Sequence, residues 1–334
     1  MCPARLARRV AFHYKEPVAL TRFARLAWGT LGFNVLVMAW GAYVRATFSG
    51  DGCGSHWPLC NGEVVPHPHQ VKTVIELSHR VSAGVGMALV YALTVWAFRT
   101  RPTGAVRRTA AWASVFVSME AVIGAVIVLF KLVSHDESKA RALSMCLHLS
   151  NTFVLLTWLT LTAHYASGGA PMRLEKQGVL AHVARACFAG VMLLGVTGAI
   201  AALGDTLFPP HSLAEGLAQD LSVSSHILLR LRALHPFGAV VVAVLLLSFA
   251  AYVPPRGPAS RRFARALSAL VLTQLSLGVL NLVLHAPVWM QLLHLVTADA
   301  VWVCLVMLSA TSFATAGAGA DAAPAREGVP STST

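Results

Sequence analysis

The sequence predicts an all-α integral membrane protein: eight transmembrane helices forming two four-helix bundles, side by side and related by a pseudo-two-fold axis along the membrane normal. Three observations predict it. Apolar residues fall in blocks of about 20, the length that crosses a bilayer core. The charges lie almost entirely between the blocks, although the chain is 56% hydrophobic and only 12% charged over 334 residues. The two halves also repeat a set of marks in one register. A soluble chain of this size would need more surface charge, so the net charge of +12 reads as membrane topology. No soluble basic domain is left over to bind nucleic acid.

The segment 1–25 carries Arg5, Arg8, Arg9, Lys15, Arg22 and Arg25. It lacks the short apolar core and cleavage site of a signal peptide. Lys15-Glu16-Pro17 would break the long amphipathic helix of a mitochondrial presequence, so we read a cytoplasmic segment of a bacterial inner-membrane protein. Eight spans follow, near 26–46, 73–98, 109–133, 141–166, 180–204, 226–253, 266–285 and 290–313. The links after the second, fourth and sixth hold Arg99, Arg101, Arg107 and Arg108, then Arg173 and Lys176, then Arg256, Arg261, Arg262 and Arg265. By the positive-inside rule these links and both termini are cytoplasmic. The outer loops are then 47–72, 134–140, 205–225 and 286–289. The tail, 314–334, is rich in Ala, Gly, Pro, Ser and Thr and reads as disordered. The predicted domains are a first bundle over 26–166 and a second over 180–313.

The repeat is visible in two places. Trp40-Gly41-Ala42 matches Thr197-Gly198-Ala199; Gly41 lies 38 residues before His79, and Gly198 lies 37 before His235. In the third span Glu120 stands four before Gly124, and in the seventh Gln274 stands four before Gly278. Each half has an even number of spans, so both share one orientation.

His79, His148, His235 and His294 each fall within the first two turns or so of an even-numbered span, and all of those spans enter from the outer face. Four imidazoles are thereby set at similar depth, two per bundle. Ionisable side chains in a bilayer are costly and need a partner. A facing pair of imidazoles across a bundle is a geometry for ligating haem iron. The competing reading, a core histidine bonded to a neighbouring helix, suits any one of them alone. It does not explain four in a duplicated frame. His56, His67, His69, His135 and His211 read as outer-loop residues, and His13 and His164 as cytoplasmic-side. His182, His226 and His285 lie near span ends, the last two nearest a cofactor edge.

Arg80, Arg230 and Arg232 sit at the outer mouths, where guanidinium can pair with haem propionates or snorkel to lipid phosphate. Glu76 precedes His79 by three residues and shares its helix face; Arg232 holds that place in the second half. A partly desolvated carboxylate beside a metal centre can carry protons, which an arginine cannot, so the halves read as one for chemistry and one for electron transfer. Pairing of Glu76 with Arg80 or Lys72 is the competing role. Cys53 and Cys60 lie seven apart in a turn-rich outer loop, where a disulfide is expected, either structural or as a redox-active dithiol. A zinc or copper site with His56, His67 and His69 fits less well, because the spacing matches no closed tetrahedral set. Cys2, Cys146, Cys187 and Cys304 read as small apolar fillers.

Together, Gly41-Ala-Tyr-Val-Arg45, Trp57-Pro58-Leu59-Cys60-Asn61-Gly62 with Cys53, Glu76-Leu-Ser-His79-Arg80, Leu147-His148-Leu149 and Leu292-Leu293-His294-Leu295 resemble the haem A synthase family over nearly the whole chain. The resemblance implies haem b between His235 and His294, and haem O received between His79 and His148. It implies oxidation of one methyl of haem O to a formyl group, with water supplying oxygen, to give haem A for terminal oxidases. Glu76 is implied in that chemistry, and Cys53 and Cys60 in a disulfide with a potential redox role. Haem O synthase and terminal oxidase assembly are the implied partners besides the lipid bilayer; the electron acceptor stays unidentified and homo-oligomerisation open. Two departures stand out: Arg232-Ala-Leu-His235-Pro236 has no acid, and the loop 204–225 has no cysteine pair. The alternatives are a di-haem b-type cytochrome carrying electrons between quinol and a partner, and a transporter. The transporter fits worse, because the spans lack paired Gly/Pro breaks at midplane.

Overall fold

The computed structural model describes residues 20–64, 70–100, 103–173, 177–222, 224–253 and 257–314. The expectations for 1–19 and 315–334, and for His67, His69, Lys176, Arg101, Arg256, His13 and Cys2, lie outside the described residues. Within them the chain is helical: α1 (Arg22–Ala46), α2 (Val71–Thr100), α3 (Ala105–Leu129), α4 (Lys139–Ala166), α5 (Val179–Leu207), α6 (Leu213–Leu221), α7 (Ile227–Arg232), α8 (Leu234–Tyr252), α9 (Pro258–Val283) and α10 (Val288–Ser312). Eight spans are long and apolar enough to cross a membrane, α7 and α8 together making the sixth. This is a multi-pass membrane protein.

Local chemistry sets the helix ends. Thr21 Oγ1 accepts from Ala24 N, and Ser138 Oγ from Arg141 N, each at 3.1 Å, satisfying otherwise orphaned N–H groups. α3 and α9 start earlier than the hydropathy predicts, at Ala105 and Pro258, because their basic first turns are helical although not apolar; Pro at a first helical position costs no hydrogen bond. Both also end earlier: Lys131, and His285 with Ala286, take positive φ just beyond them. The sixth span breaks at Ala233 because Pro236 lacks an N–H and its ring crowds the carbonyl of Arg232. His235 therefore stands at the start of a new helical segment.

α1 packs on α2 and α4, and α3 on α2 and α4, so α2 and α4 face each other across a diagonal. In the second half α5 and α9 flank α8, and α10 packs on α9 and more lightly on α5. The halves meet where α4 packs on α5 and α10, and α1 on α10. There Trp302 stacks on Phe153, with ring centroids 4.7 Å apart, and its indole N–H donates to Phe153 O at 2.7 Å. A Cβ on Gly195 would lie 2.6 Å from Phe153 Cε2, so α4 and α5 approach closely through a glycine, as membrane helices commonly do. Large apolar side chains such as Leu193, Phe237, Val241 and Val279 point outward, as a hydrocarbon surround requires.

Arg45, at the end of α1, ties the halves together at one end. Its guanidinium donates to Ala202 O at 2.7 Å, to Thr206 Oγ1 at 2.5 Å and to Gln291 Oε1 at 2.8 Å. The loops joining α1 to α2, α3 to α4, α5 to α7 and α9 to α10 all lie at this end, which also bears the disulfide.

Candidate haem-binding and oxidation site

His79, His148 and His294 stand eight, nine and six residues after the first residue of α2, α4 and α10, and His235 eight after the first of α7. At about 1.5 Å per residue all four lie roughly 9–14 Å in from the disulfide end.

In the second half the rings of His235 and His294 are brought together, with centroids 6.4 Å apart and planes at 80°. Two imidazoles sharing one metal need about 6 Å between centroids, from about 2 Å of metal–nitrogen bond plus about 1 Å to the ring centre on each side. Thr197 Oγ1 meets His235 Nδ1 at 3.2 Å. That hydroxyl donates to Leu194 O at 3.0 Å, so it accepts from Nδ1–H and leaves the Nε2 lone pair available. At His294 the Gln274 amide nitrogen donates to Nε2 at 3.2 Å and to the backbone carbonyl at 3.1 Å, so the Nε2 lone pair is held by Gln274. The ring separation fits two imidazoles holding one haem, for which Gln274 would give up its bond to His294 Nε2.

The glycine marks have a steric purpose. A Cβ on Gly198 would lie 2.9 Å from His235 Cε1, and one on Gly41 would lie 2.9 Å from His79 Cε1, so each glycine makes room for its imidazole. Overpacking such a contact costs about 1–3 kcal/mol or pushes the ring aside. Gly198→Ala is therefore expected to push the His235 ring aside and weaken any haem bound through it while leaving the helices folded, and Gly41→Ala to leave that ring in place. Absorption spectra and circular dichroism of both variants check this.

The first half is built differently. Cys53 and Cys60 form a disulfide. The loop it closes sits on the start of α2: Thr73 Oγ1 donates to Gly52 O at 2.8 Å, and a Cβ on Gly52 would lie 2.5 Å from the Lys72 carbonyl carbon. Glu76 is 3% exposed, and Oε2 accepts from Cys53 N at 2.8 Å. Oε1 accepts from Arg80 Nε at 3.1 Å and Nη2 at 2.5 Å. Arg80 Nη1 donates to His56 O and Leu59 O, both at 2.6 Å. Loop, acid and guanidinium thus form one unit beside His79, whose Nδ1 is buried without a partner. An apolar groove of about 460 Å³ runs alongside, lined by Phe33, Leu36, Trp40, Ser78, Ser82 and Leu292.

Arg232 is employed otherwise than as an outward-reaching propionate partner. It is buried, and it pairs with Asp205 Oδ1 at 2.8 Å and Asp220 Oδ1 at 2.7 Å. Asp220 lies on α6, a helix within a stretch that hydropathy marks only as an outer loop; Ser212-x-x-Glu215, with Ser212 Oγ accepting from Glu215 N at 3.1 Å, is the capping signal for it. Arg230 is exposed at the same end. His226 caps α7, and His285 and His182 are exposed. Cys146, Cys187 and Cys304 are buried free thiols. Among the described residues no three His, Cys, Asp or Glu side chains converge to hold a metal ion.

Eight spans, a disulfide-closed loop over a buried acid, and two imidazoles 6.4 Å apart define a multi-pass membrane protein with a polar site near one end of its helices. Residues 24–306 match the family model COX15-CtaA, described as cytochrome oxidase assembly protein. The chain belongs to the COX15-CtaA family. It is 46% identical over 301 residues to a "Protoheme IX farnesyltransferase" of Thermus thermophilus, the match covering 88% of this chain and 49% of that protein. It is 41% identical over 103 residues to "Heme A synthase" of an Exiguobacterium species, 30% of this chain and 34% of that one. "Heme A synthase" of Halalkalibacterium halodurans gives 41% over 99 residues, 29% of this chain and 33% of that one. The chain spans about half the length of the Thermus relatives it matches.

Proposed function

We propose that this chain is a haem A synthase: an oxidoreductase that takes one methyl of haem O to a formyl group with water as the oxygen source, four protons and four electrons leaving, the electrons to an external acceptor. Haem O would be received between His79 and His148 in the bundle 26–166, and His235 and His294 would hold a resident haem b in the bundle 180–313. The bundles are related by a pseudo-two-fold axis and both termini are cytoplasmic, which puts the disulfide end outside. The observation that carries the reading is the asymmetry between the halves: a buried carboxylate beside His79, against a guanidinium neutralised by two aspartates in the corresponding place.

Haem b, when bound, would supply one-electron transfer. The chain's own residues supply the rest. Glu76 Oε2 has one N–H bond, from Cys53, and keeps a lone pair that can take a proton from water. Arg80 and the Cys53–Cys60 loop fix that carboxylate, so it needs no reordering as charge develops. His79 and His148 orient the macrocycle. Arg80, with one N–H still uncommitted, and Arg230 are placed for propionates.

The farnesyl transfer in the name of the Thermus relative belongs to a chain about twice as long, and need not reside in the shared half. Haem O made by such a transfer is the substrate this reading requires, and terminal oxidase assembly is the destination of the product. The test is pigment extraction from membranes co-expressing this chain with a haem O supply. Haem A is the expected product. Haem B with unconverted haem O would favour a di-haem electron carrier instead.

A further inference from the structure

Glu120, on α3, lies against the imidazole of His148 on α4: its Oε2 pairs with Nδ1, which has no other hydrogen-bond partner. The carboxylate is itself held in place. Its Oε1 accepts from Asn151 Nδ2 at 2.8 Å and Thr152 Oγ1 at 2.9 Å, both from α4 one turn along. Asn151 also donates to Phe116 O at 2.9 Å, which ties the arrangement back to α3. A half-buried carboxylate with this many donors is an oriented group.

Among the described residues the second half has nothing like it. Gln274 holds the corresponding place in α9, but it meets His294 from the Nε2 side, and the group behind His235 is the neutral hydroxyl of Thr197. A carboxylate behind a metal-bound imidazole fixes the tautomer, orients the ring and raises its basicity. Neutral partners fix the ring without adding charge.

We propose that Glu120 is a positioning residue for the substrate haem: it holds His148 Nδ1–H so that Nε2 faces the iron, and makes His148 the most strongly donating of the four imidazoles. The first-half iron is thereby tuned apart from that of the second half. This rests on His148 being a ligand of the substrate haem, and the test separates the two ideas.

The protein is purified with its resident haem, haemin is titrated into it, and the affinity and midpoint potential of the added haem are measured for wild type, His148→Ala, Glu120→Gln and Glu120→Asp. Glu120→Gln keeps an acceptor for Asn151 and Thr152, so α3 and α4 stay joined. It is expected to weaken uptake about 10- to 100-fold and raise the potential of the added haem, leaving the resident haem spectrum unchanged. Glu120→Asp should recover part of both. If His148→Ala takes up haemin like wild type, the ligand assignment fails. If His148→Ala loses uptake while Glu120→Gln matches wild type in affinity and potential, the role of Glu120 alone is overturned. A Glu120→Gln protein that also loses its resident haem shows a structural role and overturns it too.

Discussion

Replacing His235 or His294 by alanine should remove the resident haem. The expected result is loss of its absorption bands in the purified protein, with helical content preserved. The two rings sit at the centroid separation that a shared metal requires, with His235 Nε2 left free by the Thr197 contact at Nδ1 and His294 Nε2 accepting from Gln274. Removing either ring leaves one axial position without a protein ligand. The macrocycle would then be retained only by burial of its faces and contacts to its propionates. His182→Ala is the control, because that imidazole is exposed on α5 and should leave the bands intact. Reduced-minus-oxidised difference spectra at equal protein concentration read all three. Full bands in either ring variant would dismiss the pair as ligands.

Glu76→Gln should leave those bands in place and stop product formation. The amide is nearly isosteric and can still offer one oxygen to Cys53 N or Arg80, but it cannot take a proton. Loss of a positioned general base costs about 10²- to 10⁴-fold in rate, so haem A should fall below detection in extracted pigment while haem O accumulates. Glu76→Ala is the harsher variant. It strands the half-buried guanidinium of Arg80 and the N–H of Cys53, and removing one partner of a buried ion pair typically costs about 3–5 kcal/mol. Arg80 keeps two loop carbonyls as acceptors, which reduces that cost, but the loop is still expected to loosen. Conversion by Glu76→Gln at wild-type rate would demote the acid to a strut for the loop.

What can be read in the sequence follows from the cost of polarity in a membrane. An imidazole or carboxylate within an apolar block is conspicuous, so His79, His148, His235, His294 and Glu76 stand out, and Cys53 and Cys60 are marked by their turn-rich setting. Gly41 and Gly198 are visible as register marks, but their purpose, clearance for a ring, exists only once two helices are packed. Partners contributed by a distant helix are not legible. Asp205 claims Arg232 from the end of α5, and Asp220 from α6, whose short run inside a polar loop carries no span-length signal. Glu120 is visible as a repeated position, and its contact with His148 depends on how α3 lies on α4. Arg45 is part of a motif, whereas its bonds to Ala202, Thr206 and Gln291 cross between the halves. Helix ends shift by a few residues because hydropathy marks the lipid-facing stretch, whereas helices run on through basic turns.

The most direct measurement is pulsed electron paramagnetic resonance on the resident haem of protein whose histidines alone are labelled with nitrogen-15. Coordination by His235 and His294 predicts a low-spin ferric signal coupled to two labelled nitrogens, whereas coupling to only one or none would contradict the pairing of imidazoles on which the account stands.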